Sequence, residues 1–251
     1  MVNSSTYDSL CLVFSEARLA TYLIATNQDK VEALKLYTLN MRLSESLYSF
    51  LCIFEITLRN RISTVLVKEF GENWFEEKEG MWLNGKAPTT WQNKRSRLLQ
   101  QIDKAKEEIN KQNRKIKDSK YHKIITSDTL TPELNFGFWT EIIGSDYDRI
   151  IWHINRNFYT KVVFANAPDK YNFTRNMKRI RKVLNDLRQR RNRIFHHEPI
   201  FDTKKRSFDE LLTIYKDAKE LLGWLSQDAL SFFEQNNQFE TLVSSIPSSM
   251  R

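Results

Sequence analysis

The chain has 251 residues, with 39 Lys and Arg against 31 Asp and Glu and a formal net charge of +8. That length can bury a sizeable core, while the two cysteines, Cys11 and Cys52, give neither a disulfide framework nor metal-ligand spacing. The apolar N-terminal stretch lacks a positive leader and is interrupted by Glu16 and Arg18, so the expectation is a soluble, cytoplasmic protein with no membrane partner.

The positive charge is regional. Lys94 to Lys123 holds eleven Lys and Arg against four Asp and Glu, and Lys178 to Arg206 holds eleven against three, which leaves the rest of the chain at −7. Asymmetry of this kind suits a polyanionic partner, with nucleic acid or an anionic membrane surface as the candidates. Two solvated helix faces would give the same count.

Six glycines, five prolines and long stretches of 3.6-residue periodicity predict an all-α fold. A first helix is expected from Tyr7 to Ala25. Asp29 followed by Glu32 resembles a capping box opening a second helix to about Met41, and Ser44 can cap a third over Glu45 to Phe70. In that helix Leu47, Leu51, Phe54, Leu58, Ile62 and Val65 share one stripe, and Gly71 supplies the stop. Glu55 and Arg59 stand i, i+4 on its flank, spaced for an ion pair. Gly71 to Trp91 reads as a folded loop in which Trp74, Trp82 and Trp91 are packing anchors rather than base-stacking platforms.

In the first basic window Leu98, Ile102, Ala105, Ile109 and Ile116 form a thin apolar seam, the mark of a helix leaning on the bundle, a partner subunit or RNA. Thr131, Pro132 and Glu133 form a helix start, and Gly137 among aromatics suggests close approach of another helix. Asp146 opens a helix bearing Ile150, Ile151, Ile154 and Phe158, with His153 beside that face. A connection over Asn166 to Asn172 leads into a helix ending near His197. A last helix is expected over Phe208 to Gln235, then a frayed tail from Ser244 to Arg251.

The helix ending near His197 carries the chemistry. In Ile180 to Pro199, IRKVLNDLRQRRNRIFHHEP, the residues Ile180, Val183, Leu184, Leu187 and Ile194 make an apolar stripe, and Arg191 falls near its middle. A guanidinium there calls for a buried carboxylate or an anionic ligand. Asn192 and His196, four apart, share a neighbouring face. Pro199 disfavours helical geometry at Glu198 and so places His196 and His197 in or just beyond the last turn, beside the helix's partial negative charge. A basic solvated helix end would contain the same residues. Leu58 to Ile62 (LRNRI) echoes Arg190 to Ile194 (RRNRI), but Thr64 stands where the second copy has His196.

Arg191, Asn192 and His196 match the Arg-x4-His signature of the HEPN superfamily of helical RNases and RNA-binding proteins. The longer string RNRIFHHEPIF, Arg191 to Phe201, resembles the Abi-like (abortive infection) branch of bacterial phage-defence proteins. FEITLRNRISTVLVKEFGENWF, Phe54 to Phe75, and LNFGFWTEII, Leu134 to Ile143, resemble its upstream segments in the same order. The resemblance implies one HEPN-like helical bundle over residues 1–251, with 72–130 as a loop plus a long basic helical insertion. It also implies a metal-independent endoribonuclease toxin, and a homodimer in which two motifs meet.

The residues themselves favour chemistry without metal or cofactor. No carboxylate other than Glu198 stands near His196 in sequence, and no phosphate-cradling glycine loop exists. What remains is self-cleavage of RNA: a base takes the 2′-OH proton and cations stabilise the phosphate under attack. In this reading His196 is the acid or base, Arg191 binds the phosphate and Asn192 orients either of them, while the choice between His196 and His197 stays open. Supporting or RNA-binding roles fall to Glu55, which could orient Arg59 or reach Arg191, and to Arg59, Asn60, Arg188 and Arg193. Lys104, Lys111, Arg114, Lys115 and Lys117 would follow the RNA backbone. RNA is the expected partner, as substrate or as a non-coding antitoxin, and DNA is not. Two rivals remain: a module that binds structured RNA without turnover, and a subunit of a defence complex docked through residues 98–116.

Overall fold

The structure, a computed structural model, describes residues 4–76, 89–148, 152, 162–168 and 173–251. Among them it is all-α, with ten α-helices, no strand, and one isolated bridge between Asp202 and Ser207. No described helix is long and apolar enough to cross a membrane. The chain divides into two compact units, one of residues 1–53, 189–219 and 231–251, the other of residues 54–188 and 220–230.

The expected first helix is two, α1 (Ser4–Phe14) and α2 (Glu16–Ala25), because Ser15 takes φ 76°, a left-handed value a helix cannot continue through. Tyr7 and Leu19 on either side of this break are buried, while Leu12 and Val13 remain exposed. The expected second and third helices are instead one, α3 (Lys30–Phe70), 41 residues long. Asp29 opens it, its Oδ1 accepting from Val31 N at 2.9 Å and Glu32 N at 3.0 Å. No glycine or proline lies between Met41 and Ser44, and buried Leu43 and Leu47 carry the apolar stripe straight through. Ser44 is therefore an interior residue, at a cost of only a few tenths of a kcal/mol in propensity, roughly.

In the 54–188 unit, Leu58, Ile62, Val65 and Leu66 of α3 are buried, and beyond the Gly71 stop Trp74 is fully buried with its Nε1 donating to Ser127 Oγ at 2.8 Å. Ser63 links that hydroxyl to Thr131 through contacts of 3.2 and 3.0 Å, so the buried polar groups satisfy one another. Helix α4 (Thr89–Arg114) buries Leu98, Ile102, Ala105 and Ile109 against its own unit. Ile116 lies past its end. Next come α5 (Ser127–Leu130) and α6 (Phe136–Ile142).

Thr131 to Glu133 forms only one 3-10 turn, because Leu134 is extended and Asn135 takes the cap of α6, its Oδ1 accepting from Phe138 N at 3.1 Å. Gly137 makes room for that cap and not for another helix: a Cβ there would lie 2.9 Å from Asn135 Oδ1. Trp82, the Trp91 side chain, Ile150, Ile151, His153, Ile154 and Phe158 lie outside the described residues. Helix α7 (Phe173–Phe195) carries the signature and buries Met177, Ile180, Val183, Leu184 and Leu187.

The expected last helix divides into α8 (Asp209–Leu225) and α9 (Gln227–Asn236), with Ser226 Oγ accepting from Ala229 N at 3.2 Å as the new cap. A short α10 (Phe239–Val243) follows. The tail is packed rather than frayed: Ile246 and Met250 are buried, and Met250 O accepts from Phe208 N at 2.8 Å.

Candidate functional site

Helix α7 ends in a Schellman motif. Glu198 N donates to Arg193 O at 2.8 Å and His197 N to Ile194 O at 3.0 Å, the 6→1 and 5→2 bonds of that cap. The left-handed position usually given to glycine is held by His197, at φ 56°. Histidine is one of the few residues enriched there, yet the conformation still costs about 1–2 kcal/mol. The surroundings hold it in place. Arg18 donates to His197 O, Arg193 to Pro199 O at 3.2 Å, and Ile200 N donates to Asn40 Oδ1 at 2.9 Å. Fully buried Ile200 and Phe201 anchor the chain as it leaves the turn.

The arginine on the buried side of α7 is Arg190 and not Arg191. Arg190 is 6% exposed, its Nη2 lies 2.7 Å from Glu210 Oε2, and its Nη1 donates to Ile200 O at 3.2 Å. Of the two partners that the sequence offered to Arg191, a buried carboxylate or an anionic ligand, the carboxylate belongs to its neighbour Arg190. Both positions lie one turn from Leu187, and although spacing favours Arg191, the pairing with Glu210 and Ile200 O buries Arg190 instead. Arg191 is half-buried with its guanidinium 4.3 Å from the Phe195 ring centroid, a cation–π contact. Among the described residues no oxygen pairs with it.

The other arginines are engaged. Arg193 bonds Pro199 O and approaches Glu198 at 4.0 Å, and Arg188 donates to Asn185 Oδ1 at 3.1 Å. Arg188 also lines a cavity of about 370 Å³ with Arg97, Arg181, Asn185, Glu141 and Asp146 in the 54–188 unit. Asn192 and His196 are exposed, joined through the backbone bond from His196 N to Asn192 O at 2.9 Å, so the two side chains occupy one face. Neither side chain is tied to another described residue.

Glu55, Arg59 and Asn60 lie along α3 in the 54–188 unit, and the buried Arg59 Nε has no hydrogen-bond partner among the described residues. Lys104, Lys111 and Arg114 on α4, and Lys115 and Lys117 just past it, are exposed. Lys111 stands 3.6 Å from Glu107 and 3.9 Å from Glu108. Among the described residues no three His, Cys, Asp or Glu side chains are grouped as metal ligands.

Sequence reasoning missed a cavity of about 490 Å³ beside the His197 turn, lined by Tyr22, Tyr37, Asn40, Glu45, Tyr48 and Phe195 among others. Tyr22 is 1% exposed and its hydroxyl has no partner among the described residues; burial pushes its pKa up, so it is a neutral donor. Tyr48 meets Phe195 edge to face at 5.5 Å. No sequence signal could have found this pocket, because its walls come from α2, α3 and α7, and each residue alone reads as core or surface.

The chain is thus all-α among the described residues, and its signature helix ends in a stapled turn with a guanidinium that has no oxygen partner among them and an exposed Asn and His beside it. The profile of the Abi-like protein family matches residues 8–202, from α1 to the residue after Phe201. The chain belongs to the Abi-like protein family, which associates it with abortive infection, a form of phage defence. No curated protein and no solved structure matches it.

Proposed function

We propose that the chain is a metal-independent, HEPN-type endoribonuclease of a phage-defence or toxin–antitoxin system, cleaving RNA with Arg191, Asn192 and His196. The observation behind this reading is the unequal use of the arginines at the end of α7. Arg190 and Arg193 are bonded to oxygens of the fold, and Arg191 is left without one among the described residues. A guanidinium with unfilled donors is suited to a phosphate.

In the reaction a base takes the 2′-OH proton, O2′ attacks phosphorus, the P–O5′ bond breaks, and an acid protonates the leaving oxygen. The products are a 2′,3′-cyclic phosphate and a 5′-OH. Arg191 stabilises the charge on the phosphoryl oxygens. His196 supplies one proton transfer, a step worth about 10²–10⁴-fold. The chain's single Arg-x4-His motif supplies one such imidazole where two proton transfers are needed, so the active form is a homodimer in which a second copy contributes the other group. RNA is the substrate, and the chemistry is the same whether the restraining antitoxin is a non-coding RNA or a protein.

The test is incubation of total bacterial RNA with the wild type and with His196→Ala, each in EDTA, followed by end-group analysis. Cyclic-phosphate ends from the wild type alone are expected. Activity that vanishes in EDTA, or that survives His196→Ala, would overturn the mechanism.

A further inference from the structure

We propose that the cavity beside the His197 turn is a nucleobase pocket that selects guanine in the RNA strand; this rests on RNA being the ligand, as in the reading above. Phe195 connects the two sites. The Arg191 guanidinium lies 4.3 Å from the centroid of its ring, the ring meets Tyr48 at 5.5 Å, and Phe195 and Tyr48 both line the cavity. A phosphate held at Arg191 therefore leaves the attached nucleoside next to an aromatic-walled opening. Phe195 and Tyr48 are 48% and 42% exposed, which is unusual for rings this size and suits stacking on an unpaired base.

Polar residues among those that line the cavity complement a base edge. The Tyr22 hydroxyl is buried with no partner among the described residues, a state native proteins rarely leave unanswered unless a ligand or water fills it. The Asn40 side-chain oxygen is used by Ile200 N, and its amide NH₂ has no partner among the described residues. Glu45 adds a carboxylate that pairs with no described cation. Two donors and one carboxylate match guanine best: adjacent N1–H and N2–H groups give the carboxylate two bonds, and O6 takes a donated hydrogen. The volume of about 490 Å³ lies within the roughly 300–1,000 Å³ of small-ligand pockets. A protein surface docking over the same patch would cover the exposed rings and still leave the Tyr22 hydroxyl unanswered beneath them.

The experiment uses the full chain carrying His196→Ala, so that binding is read without cleavage. Labelled uridine octamers with one central G, A, C or U are titrated by fluorescence anisotropy against this parent and against versions with Tyr22→Phe or Glu45→Gln added. The parent should prefer the G octamer over the all-U octamer about tenfold, the equivalent of one good polar contact. Glu45→Gln should erase that preference, and Tyr22→Phe should cut it about threefold or more, with all-U affinity unchanged within about twofold. Tyr22→Phe should melt no lower than the parent, since it deletes an unsatisfied buried hydroxyl, so a loss of preference is not a loss of fold. Competition by 5′-GMP against the G octamer alone would support the pocket and show that it also takes the free nucleotide.

Equal affinity for all four octamers, or a preference that survives both substitutions, overturns the proposal. So does a Tyr48→Ala variant that dissociates a dimer in sedimentation while base preference stays intact, which would assign the patch to self-association. The nuclease reading fails separately: a G preference in a protein whose wild type never cuts RNA leaves the pocket standing, and cleavage without base preference removes only the pocket.

Discussion

Residues 94–123 and 178–206 each hold eleven Lys and Arg, and they use them differently. In the second stretch the cations build the fold: Arg179 pairs with Glu220 at 2.6 Å, Arg181 with Asp148, Arg190 with Glu210 at 2.7 Å, and Arg193 closes its own turn. In the first, Lys106 pairs with Glu76 at 2.8 Å, Arg97 with Glu141 at 3.1 Å and Lys120 with Asp118 at 3.2 Å, and Lys111 stands near two glutamates of its own helix, while Lys104, Arg114, Lys115 and Lys117 are exposed with no oxygen partner among the described residues. The difference is one of placement: the cations without an oxygen partner among the described residues cluster between 104 and 117 in the first stretch and are scattered at 178, 191 and 204 in the second. Cations paired with carboxylates contribute little to a polyanion's affinity, and solvated ones contribute counterion release. On the proposed function the solvated cations of the first stretch would hold RNA in bulk, and Arg191, which like exposed Lys178 and Lys204 has no oxygen partner among the described residues, would take one phosphate.

The sharpest way to break this contrast is to exchange neighbours. Arg191→Ala should lower single-turnover RNA cleavage by on the order of 10²-fold or more with an unchanged melting temperature. Arg190→Ala strands the Ile200 carbonyl and empties a buried site, so it should cost about 2 kcal/mol or more, roughly 4–8 °C of Tm in a chain this long. Lost cleavage at full stability for Arg190→Ala would reverse the roles.

A smaller effect separates the two stretches. Reversing Lys104, Lys115 and Lys117 to Glu should weaken binding of single-stranded RNA and flatten the slope of log affinity against log salt by about 0.7 for each phosphate no longer neutralised. An unchanged slope would return α4 to the role of a solvated face. The smallest effect concerns the helix end. His197→Gly relieves the left-handed strain and should raise stability by up to about 1 kcal/mol, or a few degrees of Tm, with cleavage retained. Loss of cleavage in that folded variant would make His197, and not His196, the chemical group.

Much of the fold was legible because helices announce themselves by period. The stripes of α3 and α7, the seam of α4 and the stop at Gly71 follow from spacing and local backbone preference. What failed did so for local reasons with tertiary answers. Ser44 can cap a helix, but continuous burial of Leu43 and Leu47 runs the helix through it. Gly137 resembled a helix-crossing site and serves the Asn135 cap. The serine-rich tail looked unstructured, yet Ile246 and Met250 found a core to enter.

Local spacing along the chain was enough to settle its all-α class, the end of the signature helix near Pro199, and the grouping of Asn192 with His196 on one face, since these depend on bonds between residues a turn apart. Which of two adjacent arginines is buried was settled by tertiary packing: spacing puts Arg191 nearer the middle of the apolar stripe, and the carboxylate that holds Arg190 instead, Glu210, comes from another helix. Packing also set Tyr22, Glu45 and Phe195 around one cavity. Periodicity orients a side chain about its own helix axis, and it carries no information about what the neighbouring helix offers in return.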